Sequence, residues 1–496
     1  MKKIRLVFIG GILIGIFSSA IFAQSPRRNS SKDISPSVGV DKRIELLAII
    51  WRLAGSSGFR QGSLQPYISE VDKHFAPHGN HAAVLIAREM IKQGFDNSLV
   101  ATIAIHTNDP YELRERVLFD APGGILDQYG LPAPVREQFL NAVRRFLPEA
   151  RKFAAESRAK EFFAAHQKLY DEAGRRLKKV IEQHADLKWY NRFYGQPSSA
   201  DFFVVPLLAT SEISFGPNLP GIGTRPEIYA VLSVSNGSAD VNGVPIYSPE
   251  RVKTLIHEFN HSYVNKLLET NAAQVEQSGL QIFAAVENQM RDQGNPNWRV
   301  VLSETLVRAA VARYILEHEG TEKAKAEIAE QKGKGYIWMQ ETYDLLGEYE
   351  ANRKKYSAFD SFMPRIIEYI NRLPARIETI KKDYDATRPR VASLSIENGS
   401  QNIDPSLTEI IVKFDRPMQK TAPALMWDVR PTRGGRDRFP VITRQGFDDD
   451  GITYRLLVKL EPNHFYEFEL NRVTGGAFVS TESVPLAPYK IRFKTR

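Results

Sequence analysis

The sequence predicts a multidomain chain: an α+β region, mostly helical with a small sheet, followed by an all-β domain. Three observations carry this. The chain has 496 residues, enough for more than one hydrophobic core. Helical spacing of apolar residues runs from Asp41 to about Tyr384, interrupted by β-rich runs near 202–205 and 228–234. After Thr387-Arg388-Pro389 only short alternating strands remain, separated by turn residues.

The chain opens on Lys2, Lys3 and Arg5, then an apolar run from Leu6 to Phe17 and small residues at Ser18-Ser19-Ala20 and Ala23. This is the layout of a signal peptide over residues 1–23, with an uncleaved anchor as the alternative. Its removal predicts a secreted or periplasmic protein with no stable membrane insertion, and no cysteine is present to carry a lipid anchor. Residues 24–40, rich in Ser, Pro and Arg, read as a linker.

Residues 41–195 read as helical. Ile44, Leu47, Ile50 and Leu53 share one face, as do Val135, Phe139, Val143 and Phe146, and a long charged helix is expected from Arg158 to His184. Residues 196–386 read as the metal-binding core. Phe202 to Val205 and Ile228 to Val234 are its expected strands, with Pro206 suited to a sheet end or edge. Ser248-Pro249-Glu250 is a helix start, with Ser as N-cap. In residues 387–496, strands are expected at 391–396, 409–414, 453–460 and 465–470, the pattern of a β-sandwich.

Charge and cysteine usage narrow the chemistry. Lys and Arg number 66 against 58 Asp and Glu, a net charge of +8. Three of those charges lie in the signal segment, and the rest are interspersed with acids, so nucleic-acid binding is not expected. With no cysteine there is no thiol nucleophile and no thiolate ligand. Any metal must be held by His, Asp or Glu.

One motif carries chemistry. Thr254 to Tyr263 contains His257-Glu258-Phe259-Asn260-His261. Histidines four apart stand one above the other on a helix and can share one ion. Glu258, beside them, can take a proton from an attacking water and pass it to a leaving amine. No other charge occurs from Thr254 to Asn265, unlike a solvated helix. A catalytic zinc takes three protein ligands and leaves a fourth position open. Val264 and Leu267 stand where a longer three-histidine pattern would need Gly and His. Glu304 is therefore the chosen third ligand, on a stripe with Val300, Val307, Val311 and Ile315, where a bare carboxylate would be costly. Glu287 is its rival among Phe283, Val286 and Met290; His318 or an Asp remain open. Arg308, one turn on, is an ion-pair partner for Glu304, an orienting group or a substrate contact.

The His257–His261 segment resembles the zincin metallopeptidase helix. Ser303-Glu304-Thr305-Leu306-Val307 resembles the glutamate helix of its gluzincin branch. That resemblance implies a zincin-like fold, Zn2+ on His257, His261 and Glu304, Glu258 as the catalytic base, and a peptide or protein substrate. It also implies that the Glu227 to Ser235 strand pairs with extended substrate through an open edge. The oxyanion stabiliser stays open among Tyr314, His318 and Tyr336. With His81-Ala82-Ala83-Val84 and the Tyr229 strand, residues 60–330 also resemble an exported bacterial family, domain of unknown function 4932. From Pro389, residues such as Ile410 to Met418 resemble a bacterial immunoglobulin-like (Ig-like) domain, a spacer or a module for a surface partner. The rival readings are a non-catalytic surface protein with a structural metal, and a hydrolase acting on a non-peptide amide.

Two further features are read as structural. His74, His78 and His81 form a His-rich loop or core contact rather than a second metal site. Asp448-Asp449-Asp450-Gly451 reads as a solvated hairpin turn rather than a calcium loop.

Overall fold

The computed structural model describes residues 34–496, except 61–63, 96–97, 123–124, 129–130, 197, 211–213, 222–223, 235–238, 421–424, 426–434 and 472–477. The expected signal segment and most of the expected linker lie outside the described residues. The chain is multidomain, with two separate hydrophobic cores. No helix among the described residues is long and apolar enough to cross a membrane.

The first core opens with the helix Lys42–Ala54, whose Ile44 to Trp51 are all buried. Asp41 caps its start by accepting the Arg43 N–H at 2.9 Å. Gly55 ends it in the left-handed region, φ 95°. The expected helix from 158 to 184 is two helices, Ala159–Ala165 and Gln167–His184, broken at His166. His166 is held there by Glu70 at 2.6 Å.

A four-stranded sheet lies within this core. Its strands are β1 (Ser37–Val38), β2 (Asp201–Leu207), β3 (Asn218–Leu219) and β4 (Glu227–Ser233), in the order β1-β2-β4-β3. β1, β2 and β4 run parallel, and β3 is antiparallel to β4. Two expectations change here. The end of the expected linker is a strand, because Ser37 and Val38 pair with Phe203 and Val204. β4 is not an open edge: the segment before and through β3 covers it, with Phe215 and Val231 exchanging hydrogen bonds at 2.9 and 2.8 Å. Pro206 sits in β2 beyond the residues that β1 reaches, so its missing N–H is tolerated.

Of two long helices, one packs on this sheet and the other packs against the first. The motif helix is Arg251–Thr270 and the glutamate helix is Trp298–Glu319. Ser248-Pro249-Glu250 forms a turn leading into the motif helix, not its first helical turn. Asn297 caps the glutamate helix, accepting the N–H groups of Arg299 and Val300.

The second core, from Ile396 to Phe493, is built mainly from strands among the described residues. β5 (Val391–Leu394), β6 (Glu409–Phe414), β7 (Val441–Phe447) and β8 (Thr453–Lys459) form an antiparallel sheet in the order β5-β6-β8-β7. β9 (Phe465–Glu469) and β10 (Lys490–Lys494) form an antiparallel pair. The Asp448–Gly451 segment is the turn between β7 and β8. Its Asp450 accepts the N–H groups of Ile452 and Thr453, and its Asp448 pairs with Arg455.

Candidate metal centre

The motif helix is turned by an aromatic layer behind it. Tyr190 donates to the Ile256 carbonyl and Tyr194 to Asn260 Oδ1, both at 2.7 Å. Tyr263 stacks on Tyr194 with centroids 4.2 Å apart. Asn260 is fully buried, so its amide needs that partner. With this face fixed, His257 and His261 project from another side of the helix toward the glutamate helix.

There His257, His261 and Glu304 converge. The two Nε2 atoms stand 3.2 Å apart. His261 Nε2 lies 3.2 Å from Glu304 Oε1, and His257 Nε2 lies 3.6 Å from Oε2. Ligands of a tetrahedral zinc at about 2.0–2.1 Å stand roughly 3.3–3.4 Å from one another. The spacing therefore fits one small ion between them. His261 Nδ1 lies 3.3 Å from Asn265 Oδ1, a side chain that also accepts the Ser303 hydroxyl. A proton on Nδ1 leaves Nε2 as the free donor pair.

The electrostatics match that set. Burial pushes His257 down to about 4, against the pull of Glu304. Burial also opposes charge on His261, but its hydrogen bond with Glu304 outweighs this and raises it. Burial would raise Glu304, yet the Arg308 guanidinium, 2.7 Å from Oε2, and the two imidazoles hold it well below the usual carboxylate range. Glu258 has no such cation in contact, and burial pushes it up to about 7.

Glu258 faces the same cleft, a cavity of about 300 Å³ that runs between the two helices and under the segment Ser214–Pro217. Gly216 crosses directly over Glu258. A β-carbon there would lie 2.7 Å from Glu258 Oε2 and 3.1 Å from its carbonyl oxygen. Nothing in the sequence marks this segment, because Gly216 and Pro217 are ordinary loop formers. Phe215 and Pro217 spend backbone groups on β4, which leaves those of Gly216 on the far edge.

The other candidates lie apart from the trio. Glu287 is paired with Arg291 at 2.7 Å. His318 is bound to the Tyr314 carbonyl and to Asp186. Tyr314 accepts the Asp186 N–H, and Tyr336 sits under Arg308 with its hydroxyl accepting from Asn295. None of these three oxyanion candidates is on the cleft wall. His74 bonds the Ser157 carbonyl, His78 packs edge-on to Phe153, and His81 caps the Ala82–Lys92 helix.

No curated protein matches the sequence. Two solved structures share a weak likeness. One is surface layer protein SbsC, domains 1-6, at 13% identity and TM-score 0.17, over 51% of this chain and 34% of that one. The other is the S-layer protein rSbsC, at 14% identity and TM-score 0.14, over 75% of this chain and 44% of that one. The chain thus spans less than half the length of either, and similarity this low carries no argument about fold. A family match is far broader: it runs over residues 37–369 and takes in the whole His257, Glu258, His261 and Glu304 group. The chain belongs to the family described as domain of unknown function (DUF4932).

Proposed function

We propose that the protein is an exported zinc metallopeptidase of gluzincin type. The observation that carries this is the convergence of His257, His261 and Glu304 at tetrahedral ligand spacing, with Glu258 in the same cleft. A zinc ion held by these three would supply Lewis acidity toward the substrate carbonyl and acidify a water in the open position. The chain's own residues do the rest. Glu258 takes the proton of the water as its oxygen bonds to the carbonyl carbon. It then delivers that proton to the leaving nitrogen as the C–N bond breaks. Gly216, bare of side chain, lets the substrate backbone approach Glu258 and offers main-chain groups to an extended peptide.

The zincin-like fold is part of the same proposal, supported by the motif helix packed on the sheet and by the antiparallel segment beside it. We read residues 387–496 as an Ig-like sandwich acting as a spacer or partner-binding module, supported by its two antiparallel sheets around a separate core.

The test is hydrolysis by the purified protein of a mixed peptide library and an unfolded protein. The expected result is cleavage that a chelator abolishes and zinc restores. Zinc-loaded protein that cleaves no peptide would overturn the peptidase reading.

A further inference from the structure

We propose that Arg308 is a positioning residue that holds Glu304 as a one-oxygen ligand. Its guanidinium occupies Oε2 and leaves Oε1 for the ion. This rests on the reading of the trio as a metal centre, and concerns how that centre is built.

A free carboxylate can chelate a metal through both oxygens. Here one oxygen is already taken. An Arg308 terminal nitrogen lies 2.7 Å from Glu304 Oε2, while Oε1 is the atom turned to His261 Nε2 at 3.2 Å. Arg308 is itself immobilised. Its other terminal nitrogen donates to Gln331 Oε1 at 2.7 Å, and its plane lies 4.9 Å over the Tyr336 ring. Gln331 in turn donates to Glu327 at 2.6 Å, and Glu327 is paired with Lys253 on the motif helix. The chain of contacts thus starts on the glutamate helix, crosses the Thr321–Gly333 helix and returns to the helix that bears the histidines. A guanidinium pinned at Gln331 sets where its other terminal nitrogen makes ion contact with Oε2, which a mobile ammonium does not. Chelation by both oxygens would fill the position that a catalytic zinc keeps open.

The test uses the full-length protein with cobalt as a visible probe and zinc titrated against a chromophoric chelator. In Arg308→Met, the visible cobalt absorbance is expected to fall roughly two-fold or more as a fifth ligand enters. Zinc binding is expected to weaken roughly ten-fold or more. Arg308→Lys is expected to follow Arg308→Met, because it keeps the charge but cannot span both acceptors. Gln331→Leu is expected to move both readouts the same way by less, and it decides the matter if the Arg308 variants fail to fold. A wild-type spectrum and affinity in Arg308→Met would overturn the proposal. So would tighter zinc binding there, or wild-type behaviour in Arg308→Lys. Wild-type protein that takes up neither metal would instead overturn the metal reading beneath it.

Discussion

Gly216 passes so close to Glu258 that the two backbones and one carboxylate share the space of a single methyl group. Position 216 admits no side chain without moving Glu258 Oε2, which a β-carbon would meet at 2.7 Å. Gly216→Val is therefore expected to retain the metal and lose roughly 100-fold or more in peptide hydrolysis, since a displacement near 1 Å at a reacting group has that order of effect. Parallel zinc analysis and peptide assays of the purified variant check this. Unchanged hydrolysis would mean that Glu258 does not work from its place beneath residue 216.

The metal assignment separates cleanly by residue. His257→Ala, His261→Ala and Glu304→Ala are each expected to abolish stoichiometric zinc. Glu287→Ala should leave it intact, because that carboxylate is engaged with Arg291. Elemental analysis of the four purified variants decides the matter. Zinc loss in Glu287→Ala with retention in Glu304→Ala would reverse the choice.

Glu258→Gln keeps the shape of the side chain and removes its basicity. It is expected to bind zinc as wild type does and to lose roughly 10²- to 10⁴-fold in turnover, the usual share of a general base. Hydrolysis at the wild-type rate in this variant would sink the assigned role.

Glu45 gives a pH dependence far from the metal. It is 1% exposed, accepts from Tyr67 at 2.7 Å and from the Leu208 N–H at 3.1 Å, and burial pushes it up to about 7. A carboxyl raised on folding binds its proton more tightly in the folded state. Its stabilisation is complete below its unfolded value and is lost as pH rises toward 7. The full shift corresponds to about 3 kcal/mol. Glu45→Gln, which mimics the protonated acid, should gain on wild type by that order between pH 5 and pH 8. Denaturant unfolding at both values measures it, and parallel pH profiles of the two proteins would refute it.

What the sequence revealed tracks the range of the interactions involved. His257 and His261 are one helical turn apart, so four residues suffice to bring them together. Glu304 was harder. It stands on more than an apolar stripe, because Val301 to Val307 are all buried and the helix has almost no wet side there. What marks Glu304 is that no other acid occurs in that helix before Glu317. The pairing of β1 with β2 joins residues 37 and 203, which no local pattern encodes. β7 escaped because as an edge strand most of its residues are exposed, and β10 because alternating charges mask Ile491 and Phe493. The 214–219 segment escaped because its glycine and proline are read as punctuation, when one is there to stay out of the way of Glu258.

The tyrosine layer behind the motif helix acts as a rotational stop. It engages the helix at Ile256, Asn260 and Tyr263, on a face turned away from both histidines. An imidazole nitrogen stands on the order of 6 Å from the helix axis, so a twist of about 20° would carry it roughly 2 Å, a whole metal–ligand bond length. Two phenolic hydrogen bonds and one ring stack thus set an angle to which the ligand geometry is acutely sensitive. In a chain with no cysteine, that angular tolerance is kept by stacked rings in place of covalent bonds.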